Sequence, residues 1–345
     1  MASTLSLITG GSGYFGSLLR DRLHASGQAV RVFDLMDAND RPPDIGFVQG
    51  DIRDATSLAK ALEGCDAVFH CVAQVPLAKD RALFHSVNVG GTENLLRACL
   101  AARVRKVIYV SSSAVFGAPK SNPVTEATPP APAEAYGRAK LGGENLCRLY
   151  ASRGLEVTII RPRTILGHGR LGIFQILFEW IREGHNIPVL GRGDNVYQFV
   201  HADDLAAACR LAAGRPGAAL YNCGAAKFGT MREALEQLCA HAKTRSRVRS
   251  VPMLPAVLFM KLTSALGLSP LGPYHALMYG RSLWFDCARA QRELGWQPRC
   301  SNDEMLRQSY DWYLDHRDQV LAAHGASQHR SPVKQGALAL AKRLL

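Results

Sequence analysis

A run of glycines close to the N-terminus restricts the possible folds of this 345-residue chain more than any other feature. The run follows an apolar stretch at residues 5–8 and precedes an amphipathic stretch at 15–24, an order that predicts strand, turn and helix. Its spaced glycines are Gly10, Gly13 and Gly16. Glycine lets a ligand approach the backbone, and a helix start presents free N–H groups to a phosphate. The pattern predicts a dinucleotide-binding turn that includes Tyr14 and Phe15; the alternative is a glycine-rich hairpin.

An acidic residue closes the next apolar run. Asp34 follows residues 29–33 and lies 18 positions after Gly16. A carboxylate at this point can accept hydrogen bonds from the adenosine ribose hydroxyls, and it would repel a 2′-phosphate. The residue therefore predicts NAD rather than NADP as the cofactor.

Composition and charge limit the class of protein. The length suits one large α/β domain with a smaller lobe. The net charge of +12 favours phosphorylated substrates or an anionic membrane surface. No basic helix with interleaved aromatic residues stands out, which disfavours nucleic acid as a partner. The nine cysteines form no metal-ligand spacing, so we expect reduced thiols and no metal site.

Targeting signals are not evident in the sequence. The N-terminus runs directly into the first predicted strand, with no room for a signal peptide. The most apolar region, residues 251–268, contains two prolines and Lys261 and is too short and broken for a membrane span. We expect a soluble cytoplasmic protein.

Strands and helices alternate through the first half of the chain. This order predicts right-handed βαβ units and a parallel sheet, with ligands at the carboxyl ends of the strands. One long helix is expected over residues 84–102. The loops after two strands are candidate cofactor contacts, near the adenine and near the diphosphate and nicotinamide ribose; ordinary loop or core positions are the alternative. These residues are Asp51 and Ile52, and then Cys71, Val72 and Ala73.

Two further motifs carry side chains suited to acid–base chemistry. Ser112 and Ser113 follow the fifth strand, where hydroxyls can face a substrate or simply form a serine-rich turn. Tyr136 and Lys140 are four positions apart on a predicted helix and therefore share one face. Taken alone, this pair is better explained as two side chains on an exposed helix surface.

The motifs in this order resemble the extended branch of the short-chain dehydrogenase/reductase superfamily, the NAD-dependent epimerase/dehydratase family, over roughly residues 4–315. The resemblance implies a doubly wound Rossmann-type sheet, NAD as cofactor, Arg161 in the cofactor site and a homodimer. It rests on Gly10-x-x-Gly13-x-x-Gly16, Asp34, Asp51-Ile52, Ser112, Tyr136-x-x-x-Lys140, Arg161-Pro162, His201-Ala202-Asp203-Asp204-Leu205 and a closing motif at residues 285–298.

The resemblance also implies a catalytic set of Ser112, Tyr136 and Lys140. A free tyrosine has a pKa near ~10, and a nearby ammonium favours the phenolate, so we expect Lys140 to lower that value. Tyr136 would exchange a proton with the substrate oxygen, Lys140 would hold the nicotinamide ribose, and Ser112, or alternatively Ser113, would orient the substrate. The residues directly after Ser112 are not acidic, unlike those at this place in the family's sugar dehydratases, so the sequence disfavours a sugar dehydratase.

The second half of the chain bears on the substrate. Nucleotide-sugar members of the family usually show Arg-Asp where this chain has Tyr197-Gln198. The apolar segment 253–260 suits a sterol- or lipid-like substrate, as in the 3β-hydroxysteroid dehydrogenase type, or is simply a core helix. Further candidate substrate contacts are Ser113, Tyr197 and Arg281, and the basic run at 243–249 is another place for a phosphate.

We therefore expect a Rossmann domain over residues 1–165, with parts of 195–225 returning to it, and a discontinuous substrate lobe over 166–320. Residues 321–345 form a basic tail that either contacts membrane weakly or frays. The leading hypothesis is an NAD-dependent oxidoreductase that acts on a secondary alcohol or its ketone. A sugar epimerase that retains NAD is the alternative, and a non-catalytic NAD sensor is a third class.

Overall fold

The computed structural model describes residues 4–74, 81–170, 172–269 and 278–322, together with positions 336, 338 and 342. Its strands, in chain order, are β1 (Leu5–Thr9), β2 (Ala29–Asp34), β3 (Gly46–Gln49), β4 (Cys65–His70), β5 (Lys106–Val110), β6 (Glu156–Pro162), β7 (Thr164–Leu166), β8 (Ile187–Leu190), β9 (Val196–Tyr197), β10 (Phe199–His201), β11 (Ala219–Cys223), β12 (Gly229–Thr230) and β13 (Val248–Val251).

The helices surround these strands. In chain order they are α1 (Tyr14–Ala25), α2 (Ala55–Leu62), α3 (Arg81–His85), α4 (Thr92–Ala101), α5 (Ala135–Ala151), α6 (Ile173–Arg182), α7 (Ala202–Gly214), α8 (Met231–Ala242), α9 (Met253–Ala265), α10 (Ala288–Leu294), α11 (Asn302–Asp315) and α12 (Arg317–Ala322). A π-helical segment covers Ser86–Gly91, and a 3-10 turn covers Ser113–Phe116.

The main sheet has seven strands in the order β3-β2-β1-β4-β5-β6-β11, and every pair within it is parallel. Its strands are apolar on both faces; every residue of β5, for example, is buried. This pattern is typical of a sheet covered by helices on both sides. One face packs on α1 and α7, and the other on α2, α4 and α5. The predicted doubly wound α/β fold is confirmed.

The sheet positions the site through its strand order. The chain crosses over beside β1, which has β2 on one side and β4 on the other. At such a point the loops from neighbouring strands diverge and leave a crevice at the carboxyl edge. The glycine run occupies the turn between β1 and α1, so the hairpin alternative is wrong.

A second lobe has its own apolar core, formed mainly by α6, α8 and α11. Three two-stranded pairs complete it or link it to the sheet: β7 with β10, β9 with β12, and β8 with β13. Between these pieces β11 returns to the main sheet and pairs with β6. The domain bounds proposed above stay predictions.

The helical stretch predicted over residues 84–102 is confirmed up to residue 101, and it begins earlier, at Arg81. The structure divides it into α3, the π-helical segment and α4. The side chain of Asn88, within the π-helical segment, accepts a hydrogen bond from the Gln74 backbone N–H at 2.7 Å and donates to the Gln74 carbonyl at 3.0 Å. The wider turn therefore ties this helix to the loop that follows β4, a tertiary contact that periodicity does not reveal.

The apolar segment at 253–260 forms most of α9. Its inner residues line a cavity, whereas several of its leucines are exposed, so the alternative of a core helix is wrong. Most of the predicted tail lies outside the described residues. Within it, Leu338 packs against Met260 and Lys342 forms an ion pair with Glu183. No helix of the described chain is long and apolar enough to cross a bilayer.

Candidate active site

A cavity of about 760 Å³ opens at the carboxyl edge of the sheet and extends into the second lobe. Its wall brings together most of the side chains that the motifs singled out. These are Gly10, Gly13, Tyr14, Phe15, Gly16, Cys71, Ala73, Ser112, Ser113, Tyr136, Lys140 and Tyr197. The rest of the wall is largely apolar and comes from α6, β8 and α9. Groups 100 residues apart in sequence thus meet at one surface.

The glycine turn leaves no room for side chains. Gly10 has a φ of +75°, and a Cβ on Gly16 would lie 2.0 Å from the carbonyl oxygen of Gly10. Gly13 is the N-cap of α1 and provides no side-chain cap for the first N–H groups of the helix. Backbone donors at a helix N-terminus and an open approach are the requirements of a diphosphate. The turn therefore fits the diphosphate of NAD.

Asp34 ends β2 beside this turn. Its carboxylate accepts hydrogen bonds from the backbone N–H groups of Ser12 at 3.0 Å and Leu35 at 2.8 Å. Burial raises the pKa of Asp34, whereas these two hydrogen bonds lower it. The carboxylate keeps further acceptor positions, so it can also receive ribose hydroxyls.

Asp34→Ala is expected to reduce the preference for NAD over NADP by about 10- to 100-fold, because a hydrogen bond to a charged acceptor is worth roughly 1.5–3 kcal/mol and the repulsion of a 2′-phosphate disappears. Titration of the two cofactors by calorimetry measures the ratio. Asp37→Ala is the matched control, since Asp37 is paired with Arg41 on the surface. An unchanged ratio in Asp34→Ala would contradict the assignment.

The other predicted cofactor contacts lie in different surroundings. Asp51 forms an exposed ion pair with Arg53, whose hydrogen bond lowers the pKa of Asp51. Ile52 is buried and packs where Gly91 permits close approach, so its side chain belongs to the core. Val72 is partly buried against the core and lies against Gly10. Their contact with a cofactor stays a prediction.

Local structure fixes the position of Tyr136. The carboxylate of Glu134 accepts hydrogen bonds from the N–H groups of Tyr136 at 2.7 Å and Gly137 at 2.6 Å, which caps α5. A Cβ on Gly137 would lie 2.4 Å from the carbonyl oxygen of Ala114, so glycine lets α5 approach the 3-10 turn. This approach brings the Ser112 hydroxyl near Tyr136, where it lowers the pKa of the phenol.

The expectation that Lys140 lowers the pKa of Tyr136 is wrong. Burial raises the pKa of Tyr136 to about 12, and the groups that lower it are Ser112 and Arg170 rather than Lys140. The ammonium of Lys140 donates to the carbonyl of Val110 at 2.8 Å and lies over the ring of Tyr109. Burial also lowers the pKa of Lys140 to about 8. Lys140 is therefore directed toward β5, although it still lines the cavity.

Arg161 does not line the cavity, contrary to its predicted place in the cofactor site. Its guanidinium donates to the carboxylate of Glu144 through Nε at 2.7 Å and Nη2 at 2.6 Å, and both side chains are buried. The hydroxyl of Ser111 donates to the same carboxylate at 2.7 Å. This network joins β6 to α5, which is a structural role.

Glu144→Ala should lower the free energy of unfolding by about 3–5 kcal/mol, because it leaves the charge of Arg161 buried without a partner. Urea denaturation followed by circular dichroism measures the loss. Glu236→Ala is the control, since that carboxylate pairs with Arg232 on the surface and should cost no more than about 1 kcal/mol. Equal losses in the two variants would contradict the structural role of the buried pair.

Sequence reasoning missed two arginines of the cavity wall. Arg163 is buried, donates from Nη1 to Ser113 Oγ at 2.7 Å and lies over the ring of Tyr197. Arg170 lies over the ring of Tyr14 in the glycine turn, and its Nη1 is buried without a hydrogen-bond partner. With Lys140 they make three cations, and no carboxylate is among the described lining residues. This excess of positive charge in the cavity wall favours an anionic ligand.

No sequence pattern distinguished Arg163 from Arg161, because residues two apart along a strand are expected on the same face. Arg170 lies in a loop, where no motif marked it. Of the predicted substrate contacts, Tyr197 lines the cavity and its hydroxyl is 2.7 Å from Thr164 Oγ1. Arg281 is exposed and does not line the cavity.

Comparison with known proteins identifies the class. A family model described as the NAD dependent epimerase/dehydratase family matches residues 6–224. The chain belongs to this family, which confirms the resemblance and the expectation of NAD as the family's cofactor. Among curated proteins, the chain is 56% identical over 336 residues to the uncharacterized protein y4nG of Sinorhizobium fredii, with 97% of this chain and 85% of that protein covered.

Two further relatives have described activities. The chain is 30% identical over 366 residues to a 3 beta-hydroxysteroid dehydrogenase/Delta 5→4-isomerase of Mycobacterium tuberculosis, with 95% of each chain covered. The solved structure of Thermus thermophilus UDP-glucose 4-epimerase in complex with NAD matches with a TM-score of 0.74 and 25% identity, over 90% of this chain and 99% of that one. The family establishes the enzyme class, and the substrate is argued below from the cavity.

Proposed function

We propose that this protein is an NAD-dependent oxidoreductase that transfers hydride between NAD(H) and the carbon of a secondary alcohol or ketone in an apolar, sterol- or lipid-like substrate. One observation carries the proposal. Ser112, Tyr136 and Lys140 line the same cavity as the glycine turn, and most of the remaining wall is formed by apolar side chains. Those side chains include Phe174, Leu177, Trp180, Val189, Phe259 and Met260.

Different residues of the protein bind the cofactor, orient the substrate and transfer the proton. The glycine turn and the start of α1 hold the cofactor diphosphate, and Asp34 holds the adenosine ribose. Bound NAD supplies the hydride acceptor. Ser112 donates a hydrogen bond to the substrate oxygen and keeps it beside Tyr136. In oxidation the Tyr136 oxygen takes the hydroxyl proton as hydride leaves the carbon, and in reduction it returns that proton to the ketone. Arg170 favours the phenolate by its charge, and Lys140 would hold the hydroxyls of the nicotinamide ribose.

Several observations disfavour a nucleotide-sugar substrate. Tyr197 occupies the position of the usual arginine, and its hydroxyl pairs with Thr164. The Gln198 side chain is used internally, since it donates to Ala225 and accepts from the N–H of Phe285. Neither side chain is available to grip a second diphosphate. The apolar wall would also leave sugar hydroxyls without partners, which is unfavourable.

The test begins with the protein as purified. Its cofactor is released by denaturation and quantified, and the protein is then assayed for NADH formation with sterol-like and long-chain secondary alcohols. We expect exchangeable NAD and activity with an apolar alcohol. Near-stoichiometric NAD retained through dialysis, with turnover of a UDP-sugar, would instead support an epimerase. Reversible NAD binding without turnover of any alcohol, ketone or UDP-sugar would point to a sensor.

Ser112→Ala should move the pH dependence of alcohol oxidation to higher pH. The Ser112 hydrogen bond lowers the pKa of Tyr136, so its loss raises that pKa further above its usual value. The phenolate is the form that accepts the proton, and a raised pKa means that less of it exists at a given pH. The measurement is kcat/KM against pH. A profile that keeps its midpoint would contradict the role of Ser112.

Homodimer formation and a cytoplasmic location stay predictions.

A further inference from the structure

The outer face of α9 carries a row of exposed leucines. Leu254, Leu258, Leu262 and Leu266 follow one another at four-residue intervals and are 85%, 67%, 58% and 62% exposed. Residues four apart lie on the same face of a helix, so these side chains form one continuous stripe, which we call the leucine stripe. Leu268 extends it just beyond the helix and is also exposed.

The rest of the described surface offers no comparable patch. Its other exposed large hydrophobic residues are scattered in sequence over separate elements, as in Leu149 on α5 and Leu314 on α11. Single exposed apolar residues are normal on a soluble protein, whereas a contiguous patch marks an interaction surface. The leucine stripe therefore requires an occupant.

The inner face of α9 is apolar as well. Pro255, Ala256, Phe259 and Met260 line the cavity. A helix that is apolar all round has to bury both faces. Here the inner face lines the cavity, whereas the leucines of the opposite face are exposed to solvent. α9 is consequently the wall between the cavity and whatever covers the leucine stripe.

The charge around α9 indicates what that occupant is. From residue 237 to residue 285 the sequence contains no aspartate or glutamate. The same stretch contains six basic residues, Lys243, Arg245, Arg247, Arg249, Lys261 and Arg281, and all six are exposed. Lys261 lies within α9 itself, and Arg249 belongs to β13, which immediately precedes it. Exposed leucines and cations in a stretch of chain without aspartate or glutamate are complementary to an anionic lipid surface.

We propose that α9 docks this protein onto an anionic bilayer, with the leucine stripe buried among the acyl chains and the neighbouring basic side chains at the lipid headgroups. A second copy of the chain is a poorer occupant, because two such cationic surfaces would repel each other. Docking in this orientation places the cavity wall against the membrane. A lipid-like substrate would then need to cross only α9 to reach Tyr136. The docking itself does not depend on the reaction that the site performs.

The experiment is flotation of the full chain with two kinds of vesicle, phosphatidylcholine alone and phosphatidylcholine mixed with phosphatidylglycerol. We expect recovery with the anionic vesicles to exceed that with neutral vesicles by about tenfold or more at low salt, and to fall as salt rises. The double variant Leu258→Gln/Leu262→Gln should lose at least about tenfold of that binding. Both positions are exposed, so the substitutions remove no core contact.

The matched control is Leu149→Gln/Leu314→Gln, which changes two exposed leucines outside the stripe and should bind vesicles like the unmodified protein. Circular dichroism shows that each variant is folded. Failure of the unmodified protein to bind NAD in a calorimetric titration would count against the proposed function without affecting the docking proposal. Equal vesicle recovery for the stripe variant and the unmodified protein would overturn the proposal. So would a stable dimer in light scattering that the stripe variant converts to monomers, since the stripe would then be a subunit interface.

Discussion

Tyr136→Phe lowers the turnover rate by about 100- to 10,000-fold, the range that positioned acid–base groups supply, while the affinity for NAD changes by less than about twofold. The substitution removes only the hydroxyl. The ring remains and keeps its edge contact with Phe84, so the packing at the start of α5 is preserved. Rapid-mixing measurement of a single turnover, together with calorimetric titration of NAD, separates the chemical step from binding.

The control for this result is Tyr150→Phe. Tyr150 lies on the same helix and is buried, but it is not among the residues that line the cavity. Its substitution should leave turnover within about twofold of the unmodified protein, because it touches neither the reacting atoms nor the cavity. Full activity in Tyr136→Phe would remove the proposed proton transfer, even if the protein proved to be an NAD-dependent enzyme.

Gly16→Ala raises the Kd for NAD by about 100-fold or more, because the glycine turn cannot keep its shape around an added methyl group. The new Cβ would lie 2.0 Å from the Gly10 carbonyl oxygen and 2.9 Å from the Gly11 Cα, and both are backbone atoms that can move only with the turn. The displaced backbone includes the N–H groups that hold the diphosphate. Calorimetric titration of NAD measures the loss.

Two further glycines make the result specific. Gly214→Ala is the matched control, because Gly214 is helical and a Cβ there meets no atom within 4 Å. It should leave the Kd unchanged and stabilise the helix slightly. Gly13→Ala is milder than Gly16→Ala, since its Cβ would lie 3.2 Å from the Gly10 oxygen. It keeps the test informative if Gly16→Ala does not fold. An unchanged Kd in a folded Gly16→Ala protein would contradict the assignment of the turn.

Much of the fold was predictable because it depends on local patterns. The apolar runs of β1 and β5 and the amphipathic stretch of α1 decide their own conformation through burial and periodicity. The glycine turn depends on backbone conformation and close approach within a few residues, both of which are properties of the residue type.

The errors share a physical cause, which is contact between residues distant in sequence. Within the π-helical segment, which periodicity does not predict, Asn88 bonds to the loop after β4. Lys140 is not among the groups that lower the pKa of Tyr136, and its ammonium donates to the carbonyl of Val110 on another element. A spacing of four residues on a helix shows that two side chains share a face. The atoms that each side chain contacts depend on what packs against that face.

The amino-acid sequence by itself determined the doubly wound fold, the place and type of the cofactor turn, and the shared helix face of Tyr136 and Lys140, because each follows from short-range periodicity, glycine geometry or helix register. Only the tertiary structure decided that Arg163, and not Arg161, lines the cavity. Arg161 instead forms a buried ion pair with Glu144 on α5. The tertiary structure also decided that α9 is a cavity wall with an exposed leucine stripe rather than a core helix. Burial depends on the assembled neighbours of a side chain, and no local pattern contains them.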